Sequence, residues 1–182
     1  MTNYPSSKHI YVIVNQLYEA RIDHWLGDTL GSWRWWVLIG VLILPWFIWY
    51  RLVDKKKLPE LVLFGLVIMV FASSLDEIGF VTGRWSYPVE VVPMLLRLVP
   101  ADYTVLPITF MLIYQYCPTW KRYFWRLVII SSVFAFIAEP LLVYFGFYIL
   151  INWFYWYSFI GYIIMGSVAR WIVRKIFDTA RS

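Results

Sequence analysis

Seven ionisable residues are the ones in this chain best placed to do chemistry: Asp76, Glu77, Arg84, Glu90, Arg97, Asp102 and Glu139. Asp76 and Glu77 close a strongly apolar segment. Arg84, Glu90 and Arg97 fall in a proline-punctuated connection, Asp102 opens the next apolar segment, and Glu139 lies within a later one. An uncompensated Asp at the centre of a membrane helix costs about 2.5–3.5 kcal/mol on insertion scales, so such acids are paired, protonated or in use. Three chemistries are open. In the first, Arg84 and Arg97 pair with Asp76, Glu77, Glu90 or Asp102, Glu139 is protonated or bonded across helices, and the network only fixes the fold. In the second, the acids hold a hard divalent cation such as Mg²⁺ or Ca²⁺, which favours several oxygen ligands. That cation could hold a lipid phosphate for metal-assisted hydrolysis or transfer. In the third, Glu139 and Asp76 carry protons or line a path for a small solute.

Other chemistries lack their residues. One cysteine, Cys117, makes neither an internal disulfide nor a Cys-based metal site. His9 and His24 form no metal motif, and no phosphate loop, dinucleotide fingerprint, zinc-protease helix or nucleophile elbow is present.

The elements that must position these acids are membrane helices. The chain is 62% hydrophobic and 21% aromatic but only 15% charged, with a mean hydropathy of +0.65. A soluble domain is about half apolar and about a quarter charged. The excess apolar surface needs lipid, which makes the bilayer the first partner. The net charge of +5 does not point to nucleic acid, because the basic residues sit in short gaps between apolar runs. No signal peptide is expected, since the first long apolar run starts near Trp35 and no small-residue cleavage site follows it.

The predicted fold is all-α: a polytopic helical bundle of about five transmembrane helices plus an N-terminal amphipathic helix. Residues 1–33 form the amphipathic segment, 34–176 the bundle and 177–182 a cytoplasmic tail. In the first of these, Asn15, Glu19 and Asp23 recur on one helical face, with Ile10, Val14 and Leu17 on the other. Such a helix lies in the membrane interface or packs across the bundle. Spans are predicted over 35–50, 58–78, 103–116, 127–147 and 156–173. Tryptophans at both ends of the first, Trp46 and Trp49 among them, read as interfacial belts, as does the aromatic run from Phe145 to Tyr157. Residues 79–100 carry Gly83, Pro88, Pro93 and Pro100, so no continuous helix fits. The apolar piece 89–99 within them is re-entrant, interfacial or spanning.

Two acids fall on stripes of small residues, which mark helix contacts. Asp76 follows Gly65 and Ala72, and Glu139 follows Ser131 and Ala135. Both therefore face protein. Eleven of the sixteen basic residues lie in 51–57, 118–126 and the tail, where Arg170 is grouped with Arg174, Lys175 and Arg181. The positive-inside rule then puts the N-terminus outside and the C-terminus in the cytoplasm. Asp76, Asp102 and Glu139 come to the outer half, with Arg97 or Arg84 as counter-charge.

The succession Asp76, Tyr87-Pro88, Pro93, Asp102, Pro107, Tyr114-Gln115, Glu139 and Trp156-Tyr157-Ser158 resembles a family of small multi-pass membrane proteins from Bacillus- and Clostridium-type bacteria. The likeness runs over about residues 35 to 175. It implies a bacterial plasma-membrane location and supplies neither an activity nor site residues. The expected role is a non-enzymatic component that partners another membrane protein or itself. The alternative is a lipid-directed enzyme, metal-assisted or not, or a proton or small-solute pathway using the outer carboxylates.

Overall fold

The computed structural model describes residues 5–180. Residues 1–4 of the N-terminal segment and 181–182 of the tail, Arg181 among them, lie outside the described residues.

Helix α1 spans Ser7–His24, and the Ser6 hydroxyl caps it by accepting from the His9 N–H at 3.2 Å. The polar face forms as the spacing predicts, with Asn15 Nδ2 donating to Glu19 at 2.8 Å. No residue of α1 is buried. A helix packed across the bundle along its length would bury one face, and α1 buries none. α1 is instead pinned by its last turn and the turn that follows.

Among the described residues, four helices are long and apolar enough to cross a membrane: Trp33–Leu52, Lys55–Val81, Trp120–Tyr144 and Tyr155–Thr179. The first is α2. The second is a short 3₁₀ turn followed by α3, Leu58–Val81. The third joins α5, Trp120–Val133, through a π-helical turn, Phe134–Ala138, to α6, Glu139–Tyr144. The fourth is α7. The remaining predicted span is a π turn, Ala101–Val105, leading into α4, Leu106–Tyr116. At about 1.5 Å per residue it reaches only roughly 24 Å, short of a core of about 30 Å. It can be short because it sits in the middle of the bundle. Ile108, Phe110, Met111 and Ile113 are buried, and α4 packs on α3, α2 and α5.

Pro107 and Pro140 each stand in the first turn of the α-helix that follows a π turn. A proline removes a donor and crowds the carbonyl one turn back. The wider π turn absorbs that displacement without ending the helix. Asp102 lies inside the first of these turns and Glu139 directly after the second.

Hydrogen bonds define two ends. At one, Gln115 and the Tyr116 hydroxyl donate to the Leu52 carbonyl, and Arg174 donates to that of Pro118. At the other, Trp35 donates to the Val91 carbonyl at 3.1 Å and Arg34 to that of Gly146 at 3.3 Å. The helices therefore alternate in direction, and the connections rich in Lys and Arg collect at one end. Lys121, Arg122 and Arg126 belong to the first turns of α5 rather than to a connection. The expected aromatic belt is also partly an inner contact. Trp49 is buried, and Trp46 donates to Thr104 Oγ1 at 3.1 Å, which in turn donates to the Leu42 carbonyl at 2.9 Å.

At the second end, α3 and α6 stop in the same way. Gly83 and Gly146 take positive φ, 68° and 74°. Arg84 N donates to the Gly79 carbonyl and Phe147 N to that of Leu142, at 2.9 and 2.8 Å. This is the Schellman ending, and glycine is the residue that adopts its left-handed position at least cost. The chain leaves each helix into a two-residue strand, β1 Trp85–Ser86 and β2 Ile149–Leu150. They pair antiparallel, Trp85 opposite Leu150 and Ser86 opposite Ile149. Residues 89–99 form neither a helix nor a span. Val89, Leu98 and Val99 are buried as this irregular stretch packs over the bundle's end.

Candidate functional site

Beneath this cap lies a cavity of about 420 Å³ between α3, α6, α7 and the π turn before α4. Asp76, Asp102 and Glu139 all line it. The small-residue stripes explain the inward direction of two of them. Gly65 and Ala72 are buried below Asp76, and Ser131 and Ala135 below Glu139.

Asp76 is supplied with donors from the cap. Trp85 Nε1 donates to its Oδ1 at 2.7 Å, the Leu98 N–H donates to its Oδ2 at 2.9 Å, and the Tyr87 hydroxyl donates in a short bond. Burial, reinforced by the neighbouring Asp76, pushes the Tyr87 hydroxyl well above the ordinary tyrosine range, so it keeps the proton it donates. Trp85 gets that close because Gly79 lies beneath it, and a Cβ there would overlap its indole ring.

Glu139 takes its donors from α7. Ser158 Oγ donates to Oε2 at 3.0 Å and the Tyr162 hydroxyl to Oε1 at 2.8 Å, while Trp153 Nε1 donates to Ser158 Oγ at 2.8 Å. Asp102 differs. It is only 4% exposed. It stands beside Asp76 on the cavity wall. Its Oδ2 is buried with no hydrogen-bond partner among the described residues.

The walls are aromatic. Tyr87 stacks on Tyr148 at 5.4 Å between ring centroids, and Trp85 meets Trp153 edge-on at 4.9 Å. Leu75 and Ile78 on α3 and Tyr157 on α7 also line the cavity, yet are 52%, 59% and 46% exposed on the outside of the bundle. The mouth therefore opens sideways between α3 and α7.

The other predicted residues go elsewhere. Arg97 donates to Glu77 at 2.5 Å. Arg97 is thus not the hydrogen-bonded counter-charge of the three acids, although it acts on Asp102 electrostatically. Arg84 lines the cavity but is exposed and makes no ion pair among the described residues. Glu90 lies outside the cavity and pairs with Arg21 at 2.6 Å. Arg21 also donates to the Pro93 carbonyl, and Trp25 Nε1 to that of Glu90, so this group fastens α1 to the cap. Burial holds the Glu90 carboxyl up at about 7, against the opposing pull of Arg21. Among the described residues, no three His, Cys, Asp or Glu side chains are arranged to hold a metal ion.

Among the lining residues not singled out as site residues from sequence are Trp85, Tyr87, Tyr148, Trp153, Ser158 and Tyr162, whose polar atoms or rings face the acids or one another. Their signal was the need itself. An acid in a span requires donors, and tyrosine and tryptophan near the span ends carry them on apolar bodies. No family model, curated protein or solved structure matches this chain.

Proposed function

We propose that this protein is a binding protein of the bacterial plasma membrane that takes a ligand from the outer half of the bilayer into the carboxylate-bearing cavity. The carrying observation is the sideways mouth between α3 and α7, lined by Leu75, Ile78 and Tyr157, leading to three buried acids. A mouth on the apolar flank of a span favours an amphiphile already dissolved in the membrane over a solute from water. The basic residues gathered at the opposite end support a cytoplasmic face there, which puts the cavity and the N-terminus outside. The interfacial reading of α1 belongs to the same proposal, since its apolar residues Ile10, Val14 and Leu17 are exposed.

A role as an assembly partner is less well supported, because the small-residue stripes that suggested it are used inside the chain. A Cβ on Gly65 would meet Met111 Sδ at 2.6 Å, and one on Gly166 would meet Leu127 at 2.7 Å. One observation favours a lipid-directed enzyme as second reading: the Ser158 hydroxyl donates to Glu139. Native mass spectrometry of protein released from its own membranes tests the proposal. A stoichiometric bound amphiphile is expected, lost in Leu75→Trp, which fills the mouth from the lipid side. Protein that carries only scattered lipids, unchanged by that variant, would overturn it. Conversion of the bound lipid to a released product, abolished in Ser158→Ala, would establish the enzyme instead.

A further inference from the structure

We infer that the cavity's ligand is an amphiphile with an uncharged carbonyl oxygen, which accepts a hydrogen bond from the Tyr148 hydroxyl. This rests on the binding role proposed above and names its ligand class.

The inference starts from an unused donor. Tyr148 is 6% exposed and lines the cavity. Its ring is taken up by its neighbours, stacked on Tyr87 at 5.4 Å and edge-on to Trp85 at 6.4 Å. Its hydroxyl, unlike those of Tyr87 and Tyr162, makes no hydrogen bond among the described residues. Nor is that oxygen sealed in, as the unpartnered Asp102 Oδ2 is. The open space it meets is the cavity, where Glu139 and Asp76 lie within its electrostatic reach. Burial, reinforced by those two acids, holds the hydroxyl well above the ordinary tyrosine range, so it keeps its proton and acts as a donor. A buried donor left unpaired is costly, so the site is complete only with an acceptor from outside the chain.

The acids, by contrast, need nothing from a ligand. Asp76 already receives three donors and Glu139 two, and Asp102 Oδ2 is enclosed beyond a ligand's reach. Three acids around one cavity disfavour a carboxylate or phosphate as the acceptor, since like charges oppose one another there. An alcohol would accept but would bring a hydrogen that again needs a partner. A carbonyl accepts and brings none. The rest of the ligand is apolar, because Ala72, Leu98, Leu106, Leu142 and Met165 complete the wall and the mouth opens to lipid. Such a carbonyl belongs either to the acyl ester of a glycerolipid or to a long-chain ketone or quinone.

The test uses the purified full-length protein in a neutral maltoside detergent. 2-Tridecanone, tridecane and laurate are titrated while thermal stability and bound mass are followed. 2-Tridecanone should bind about tenfold or more tightly than the other two, the loss expected when a buried donor stays unpaired. Tyr148→Phe keeps the ring and removes only the hydroxyl. It should erase the margin over tridecane and leave tridecane binding unchanged. Gly161 of α7 also lines the cavity, and a Cβ there would meet nothing within 4 Å, so Gly161→Leu fills the void and should abolish binding of both. For the source of the carbonyl, diester phosphatidylcholine is compared with its diether analogue in nanodiscs. Retention of the diester over the diether assigns the carbonyl to a glycerolipid, and ketone selectivity without lipid selectivity assigns it to a free ketone or quinone. A ketone that binds no better than tridecane, or that binds Tyr148→Phe as tightly as the parent, would overturn the carbonyl inference and leave the binding role standing. Binding of none of the compounds, or binding unchanged in Gly161→Leu, would overturn both. Should Tyr148→Phe fail to fold, the ranking on the unaltered protein decides alone.

Discussion

Two ion pairs at the capped end look alike in sequence and differ in burial. Arg21 and Glu90 are 13% and 10% exposed, whereas Arg97 and Glu77 are 19% and 38% exposed. Removing one partner of a buried pair strands a charge, at about 3–5 kcal/mol, while a solvent-screened pair is worth about 0–1 kcal/mol. Arg21→Ala should therefore do more damage than Arg97→Ala. Because α1 buries no residue of its own, the damage should appear as release of α1. Limited proteolysis should cut within 7–24 in Arg21→Ala and spare that segment in Arg97→Ala. Cleavage in neither variant would remove Arg21 from its anchoring role. Glu90 adds a pH dependence. It ionises near 4.5 when unfolded and at about 7 in the folded protein. Between those values the folded state holds the extra proton, so the Glu90 contribution to stability falls as pH rises through the window and is level above it. Melting curves of the parent and Glu90→Gln should diverge across that window, the parent losing more stability toward neutral pH. Parallel curves would mean that Glu90 does not titrate there.

Among the elements, α7 ties the two ends together. Toward the cavity it supplies Ser158 and Tyr162 to Glu139. Toward the basic end it buries Arg170 completely. Arg170 donates to the carbonyls of Cys117 and Pro118, each at 2.8 Å, just past the end of α4. There the carbonyls unused by the helix and its dipole favour a cation. The guanidinium also lies 4.3 Å from the Tyr123 ring centroid and 5.2 Å from those of Tyr114 and Trp120. A lysine cannot present a planar fork to two carbonyls while stacking on rings. Arg170→Lys should destabilise the detergent-solubilised protein nearly as much as Arg170→Ala, by about 3 kcal/mol. A lysine variant as stable as the parent would show that charge alone suffices. Arg174, one turn on and only partly buried, should tolerate either change with an effect of about 1 kcal/mol or less.

For the molecule as a whole, the alternation of helices predicts which sites share a side of the membrane. Single cysteines at positions 55, 121 and 180 should react together with an impermeant reagent applied to the cytoplasmic side. A cysteine at the exposed position 152, in the turn beside β2, should react from the opposite side. The native Cys117 is buried and should stay silent. Reaction at 121 and 152 from the same side would break the threading on which the proposed outer position of the cavity depends. The cavity is itself a property of the whole, since its walls come from segments as far apart in sequence as Ala72 and Met165.

Sequence alone carried the all-α membrane fold, because lipid-soluble length and composition are local properties of each run. It carried the inward direction of Asp76 and Glu139 for a similar reason. Four-residue spacing with Gly, Ala and Ser fixes a helix face, and such a face seeks another helix. The pairing of charges was beyond it. Arg97 turned to Glu77 and Arg21 reached Glu90, sixty-nine positions away, because the irregular stretch 89–99 folds over the bundle and no periodicity encodes that path. The burial of Arg170 was hidden too: a cation at the end of an apolar run reads as a tail until the end of α4 is brought against it. The donors to the acids were hidden for the same reason. Trp153 read as part of an interfacial belt in one dimension and Trp85 and Tyr87 carried no site reading, and only the two Schellman turns and the pairing of β1 with β2 bring them over the cavity. Where side chains meet across loops of irregular backbone, the decision belongs to packing and hydrogen-bond satisfaction in three dimensions, and it is there that the unpartnered oxygen of Asp102 came into view.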